Sequence, residues 1–142
     1  MHETRAHILI VASDSDKRCE LVAVLRRCGV DATVCSGLAE AFHYVVQPTA
    51  FHLIFCEEKL VDGNYRDVLH LTRQSGSGIP LVVCSLVGEF PEYLQAMELG
   101  AFDLVSPPYR LLQVQHLIES ARREIPKISS ARAASTVVPL AS

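Results

Sequence analysis

The stretch HILIVASDSDKRCELVAVLRRCG, from His7 to Gly29, decides the fold. It opens on HILIVA, His7 to Ala12, an unbroken apolar run of the kind found in strands covered on both faces of a parallel sheet. After SDSD the period changes. Over about Asp16 to Cys28, Leu21, Val24, Leu25 and Cys28 recur at helical spacing, while Lys17, Arg18, Arg26 and Arg27 can face water. Gly29 stops the helix, because the residue after a helix end often needs a left-handed backbone that glycine takes without strain. The stretch is one βα unit.

Working outward, the unit recurs. A second strand, DATVCS, covers Asp31 to Ser36, and its helix runs over about Leu38 to Val46, stopping before Pro48. A third strand covers Phe51 to Cys56, followed by a helix over Tyr65 to Arg73 with Val68, Leu69 and Thr72 on one side. The SGSG turn, Ser75 to Gly78, leads into a fourth strand, Ile79 to Ser85. Pro91 opens a helix that ends at Gly100, FDLV (Phe102 to Val105) is a short fifth strand, and a last helix covers about Leu111 to Glu124. Strict alternation implies a parallel sheet with helices on both faces. Right-handed crossovers then favour the flavodoxin-like (βα)5 sandwich, a doubly wound α/β/α fold with strand order 2-1-3-4-5. That order brings the residues after Ala12 and after Cys56 into one crevice. The expected domain is 7–124. The remainder, 125–142, is rich in Ser and Ala without a clear period, and is expected to be a flexible tail.

Composition limits the function. The chain has 142 residues, 49% hydrophobic and 20% charged, with net charge -3, which argues for a folded domain and against a nucleic-acid or membrane-surface binder. Cys19, Cys28, Cys35, Cys56 and Cys84 form no CxxC pair and no zinc spacing, so they read as structural thiols in a reducing cytoplasm. No apolar run approaches the roughly 20 residues of a membrane-spanning helix. The histidines are scattered without ligand spacing, and His43 reads as a helix-surface residue. The chemistry concentrates in FHLIFCEEKLVDGN, Phe51 to Asn64, where a buried strand stops on Glu57 and Glu58, followed by Lys59 and a turn at Asp62, Gly63 and Asn64.

Four stretches, ILIVASDSDKRCELV, LIFCEEKLVDGN, IPLVVCSLV and AMELGAFDLVSPPY, occur in order over about His7 to Glu124. Together they resemble the receiver domain of two-component response regulators, the CheY-like family. The resemblance implies a phospho-accepting aspartate ending strand three, two acids after strand one that help hold Mg²⁺, a hydroxyl ending strand four and a lysine after strand five. The matching positions here are Glu57 for the acceptor, Ala12 and Ser13 for the acidic pair with Asp14 beside them, Ser85 for the hydroxyl and Pro107 for the lysine. Pro108 matches the family's following proline, and Leu104 stands where a switch aromatic is expected. The fold signature is therefore intact and the phosphorylation chemistry is not.

The expectation is a degenerate receiver: a signalling module of a phosphorelay that works by protein contact, not as an enzyme, and without efficient Mg²⁺-dependent phosphorylation. No cofactor or metal is expected, with Asp14 and Glu57 as weak metal candidates. Glu57 is a candidate fixed charge reaching Ser85; the alternative is a solvated strand-end carboxylate. Asp14 and Asp16 read more simply as caps of the first helix. Lys59 is a candidate partner for Glu57 or Glu58. The resemblance implies contact with a protein partner or a second copy through helix four, strand five and helix five, with a histidine kinase or an output protein as the partner. Tyr93, Met97, Phe102, Tyr109 and Gln113 are candidates there, Met97 and Phe102 also fitting ordinary core packing. Competing readings are a phosphorylatable receiver using Glu57, a flavin- or nucleotide-binding protein, and a small hydrolase pairing Glu57 with Asp14. The SDSDK loop, without glycine and with two aspartates, argues against a phosphate cradle.

Overall fold

The computed structural model describes residues 5–47, 51–86 and 88–123. Five parallel strands form one sheet: β1 (His7–Val11), β2 (Asp31–Cys35), β3 (Leu53–Glu57), β4 (Leu81–Cys84) and β5 (Asp103–Val105). Their order across the sheet is β2-β1-β3-β4-β5, as the alternation of the sequence implies. The helices are α1 (Ser15–Arg27), α2 (Leu38–Val45), α3 (Tyr65–Gln74), α4 (Phe90–Glu98) and α5 over residues 111–123. The strands begin later than their apolar runs: Phe51 and Ile79 are buried yet precede the pairing. Pro48, Glu124 and the tail at 125–142 lie outside the described residues.

Side chains alternate across a strand, and the two cores follow that parity. Leu9, Val11, Ile54, Cys56, Leu81 and Val83 pack with Ala41 and Val45 of α2, Val68 and Leu69 of α3, and Ala96 of α4. Ile8, Ile10, Leu53, Phe55 and Val82 pack on the other face with Leu21 and Leu25 of α1 and with Val114, Leu117 and Ile118 of α5. The central strands are fully enclosed, each large side chain contributing about 1.5–3 kcal/mol through burial. Cys35, Cys56 and Cys84 are buried among them as free thiols, and burial pushes Cys35 and Cys84 up to about 12. Among the described residues no helix is long and apolar enough to cross a membrane.

Helix ends decide what faces the crevice. Asp14 caps α1, its carboxylate accepting from the Lys17 amide at 3.1 Å. Gly29, at φ 72°, terminates the same unit as the sequence indicates. Asn64 caps α3 in a reciprocal box with Asp67. α2 is different. Its N-cap is Gly37, and the carboxylate over its first amides comes from Asp62, which accepts from Leu38 at 2.7 Å and from Ala39 at 3.1 Å. A Cβ on Gly37 would sit 2.6 Å from Asp62 Oδ1, so glycine makes this close approach possible. Asp62 is delivered by an antiparallel hairpin that pairs Lys59–Leu60 with Gly63–Asn64, an element the sequence reading treats only as a turn.

Candidate functional site

The site forms where the strands end. β1 and β3 are neighbours, so the loop after Val11 meets the end of β3. Ala12 is buried and its amide donates to Cys35 O at 3.0 Å. Ser13 is the centre of a knot. Its amide donates to Glu57 Oε1 at 2.8 Å, its hydroxyl donates to Ser36 O at 2.6 Å, and it accepts from the Val61 amide at 3.0 Å. The Asp14 amide also donates to Glu57 Oε1, at 3.2 Å. Glu57 is thus turned toward β1, and its Oε2 is enclosed without a hydrogen-bond partner among the described residues.

Glu58 takes the other direction. Ser85 is buried at the end of β4, and its hydroxyl donates to Glu58 Oε1 at 2.9 Å. The candidate contact between Glu57 and Ser85 is therefore not formed: among the described residues the Ser85 hydroxyl donates to Glu58. Parity is the reason. Glu58 continues the face of Ile54 and Cys56, and Ser85 continues the face of Leu81 and Val83. Glu57 lies on the opposite face, beside Cys84 in the register.

The other expected residues divide. Asp14 is an N-cap, as the simpler reading has it, and ion-pairs with Lys17 at 3.6 Å. The Lys17 amide beside it holds its carboxyl below the usual 3.8. Lys59 lines the cleft but forms no ion pair with Glu57 or Glu58 among the described residues. Pro107 is half-buried and joined to Pro108 by a cis peptide bond; it brings no charge. Leu104 is half-buried against the core face shared with α4. The cleft has a volume of about 580 Å³, with Ser13, Glu57, Glu58, Lys59, Ser85 and Tyr109 in its walls.

Tyr109 is placed in the cleft wall. It lines the cleft beside Cys84, and burial raises its phenol well above the usual value. It belongs to the site more than to an outer face. Phe102 packs against the α1–α5 core, consistent with ordinary packing. Tyr93 and Gln113 do share a surface groove, about 550 Å³, with Phe90, Leu104, Pro107 and Pro108. Phe90 is the residue the sequence reading missed: it stacks on Tyr93 at 6.4 Å and is 67% exposed. A bulky aromatic directly before the helix-opening Pro91 was the available signal.

No protein-family model matches the chain. Curated relatives do. The chain is 27% identical to the response regulator protein PilR of Pseudomonas aeruginosa over 84% of its own length and 27% of the relative's. It is 26% identical to the DNA-binding transcriptional regulator NtrC of Rhizobium meliloti, over 85% of this chain and 25% of that protein. It is 25% identical to the transcriptional regulatory protein FixJ of Bradyrhizobium diazoefficiens, over 85% and 58%. The chain is a homologue of response-regulator receiver domains.

Solved receiver structures carry the same fold. A receiver domain from Clostridium thermocellum superposes with a TM-score of 0.76 at 16% identity, covering 87% of this chain and 98% of that one. A two-component response regulator from Clostridium difficile gives 0.73 at 23% identity, covering 85% and 98%. The chain spans between about a quarter and three fifths of the length of its curated relatives.

Receiver domains bring Mg²⁺ into consideration, and the donors here do not fit it. Mg²⁺ demands a near-octahedral oxygen set at about 2.0–2.1 Å. Ala12 and Ser13 offer no carboxylate, Asp14 is engaged with Lys17, and Glu57 Oε1 already accepts two amides. Among the described residues no three His, Cys, Asp or Glu side chains are grouped for a metal ion.

Proposed function

We propose that this chain is a receiver-like module of two-component signalling that acts through protein contact, without efficient Mg²⁺-dependent aspartyl-type phosphorylation. The observation that carries it is the Ser13–Glu57 knot. A phospho-acceptor needs a free carboxylate oxygen facing a cation. Here the strand-three carboxylate sits one methylene further out, with one oxygen bound to the amides of Ser13 and Asp14. A displacement of about an ångström already costs on the order of a hundredfold in rate. The lysine that would add charge stabilisation is replaced by Pro107.

Contact with a histidine kinase, an output protein or a second copy would use the groove between α4, β5 and α5. Phe90, Tyr93 and Gln113 supply its exposed surface, an aromatic-lined patch of the kind that supports association. The beryllofluoride-activated NtrC4 receiver, which superposes at a TM-score of 0.72 with 18% identity, is a dimer.

A second reading, a phosphorylatable receiver using Glu57, draws on the unpartnered Glu57 Oε2. One experiment separates the two. The chain is incubated with Mg²⁺ and a small phosphodonor, and the intact mass is measured. The expected result is no adduct. A stoichiometric phosphoryl adduct lost in Glu57→Gln would replace the first reading with the second.

A further inference from the structure

Resting on that reading, we propose that Glu58 is a built-in substitute for the phosphoryl group that the Ser85 hydroxyl would hydrogen-bond, and that this internal contact positions the segment between β4 and β5. Four observations meet here. First, the hydroxyl that would bond a phosphoryl oxygen donates to a carboxylate oxygen of the chain itself, Glu58 Oε1 at 2.9 Å. A hydroxyl on a carboxylate is a charge-assisted bond, stronger than one between neutral partners.

Second, both partners are held before the bond forms. The Glu58 amide donates to Cys84 O at 3.0 Å, and its carbonyl accepts from the Tyr65 amide at 3.2 Å. The Ser85 amide donates to Val105 O at 2.9 Å. The backbones are fixed, so closing the contact orders little more than one carboxylate arm. Third, strand parity assigns the neighbouring acid elsewhere: Glu57 faces Ser13 and Asp14, so the two carboxylates do not compete for Ser85.

Fourth, the contact is connected to the surface. The chain leaves Ser85 through Leu86 and Gly88 into α4. Gly88 lies against β5: a Cβ there would collide with Ser106 Oγ and stand 3.3 Å from Leu104 Cδ2. Gly88, Leu104 and Ser106 also line the groove with Phe90 and Tyr93. A shift at Ser85 is therefore felt at the residues that would meet a partner.

The test is hydrogen exchange over 88–105 in a double-variant cycle on the full chain. Glu58→Ala and Ser85→Ala should each speed exchange in this segment by about three- to tenfold, as loss of one charge-assisted hydrogen bond implies. The double variant should be no faster than the faster single. Glu58→Gln, which keeps an oxygen acceptor without the charge, should fall between wild type and Glu58→Ala. Glu57→Ala should leave 88–105 unchanged and speed the amides of Ser13 and Asp14. Far-UV circular dichroism confirms that each variant is folded. Additive single effects, an unaltered segment in Glu58→Ala, or Glu58→Gln equal to wild type would overturn the proposal. Beryllofluoride with Mg²⁺ separates it from its parent. A response in the wild type removes the proposed function and leaves the cycle's outcome on Glu58 standing; an additive cycle without a response removes the Glu58 role alone.

Discussion

On the β1 side of the cleft, Ser13 joins three loops through Glu57 Oε1, Ser36 O and the Val61 amide, and Asp62 fastens the same hairpin to the start of α2. On the β4 side, the contact across the cleft is between two side chains, Ser85 and Glu58. The first set runs almost wholly from side chains to fixed backbone atoms. The second joins a hydroxyl to a movable carboxylate arm. The difference teaches where change can enter: one wall is anchored on backbone atoms, and on the other the Ser85–Glu58 contact can be made or broken by a single rotamer.

The largest expected effect is on the anchored wall. Ser13→Ala removes one donated and one accepted hydrogen bond at once, and should lower unfolding free energy by about 1–3 kcal/mol in a urea titration. Glu58→Ala should cost less than about 1 kcal/mol in the same titration, because the arm is half-exposed. The reverse ranking would break the comparison.

Thiol labelling sharpens it. Cys35 ends β2, next to Ser36 of the anchored wall, and Cys84 ends β4, next to Ser85, and burial pushes both up to about 12. Both thiols are buried, so alkylation of either requires local opening. Cys84 should react about tenfold faster than Cys35 in the native chain, with Ser85→Ala widening the gap. Peptide mapping after timed alkylation reads this, and faster labelling of Cys35 would argue against a loose β4 side.

Acid should loosen the anchored wall selectively. The amides of Leu38 and Ala39 hold Asp62 below the usual 3.8. A carboxylate with a lowered folded value contributes stability that is present above 3.8 and is lost as pH falls through the folded value. Amide protection at Leu38 and Ala39 should therefore decline below about pH 4, ahead of protection in β4. A uniform decline would remove the distinction.

The smallest effect lies away from both walls. Burial lowers the titration of His52, whose Nδ1 accepts from the His7 amide at 2.9 Å. The folded state binds this proton more weakly than the unfolded chain does. Stability should thus fall modestly as pH drops below 6.5, and His52→Asn should flatten that slope. An unchanged slope would assign the acid sensitivity in this range to other groups.

Much of the fold was legible because burial on two faces leaves a strong mark. HILIVA and IPLVVC admit few readings, and Gly29 and Gly100 mark helix ends where the backbone has φ of 72° and 103°. The positions matched to the family were each read as a fixed step from a strand end. The directions of Glu57 and Glu58 were harder to read. Two identical side chains in succession carry no sign of which face each takes until the last paired residue is known, and β3 runs one residue further than its apolar stretch suggests. The Ser13 knot was hidden because its partners lie 23 to 48 residues away and two are backbone groups, which leave no trace in composition.

The Asp62 cap has a consequence for synthesis. α2 is only eight residues long, too short to hold itself together in water, and its capping carboxylate is made 24 residues after the first amide it serves. As the chain emerges from a ribosome, this helix stays without its cap until the hairpin has followed it out. The second βα unit is thus completed from its C-terminal side, after the third strand has been translated.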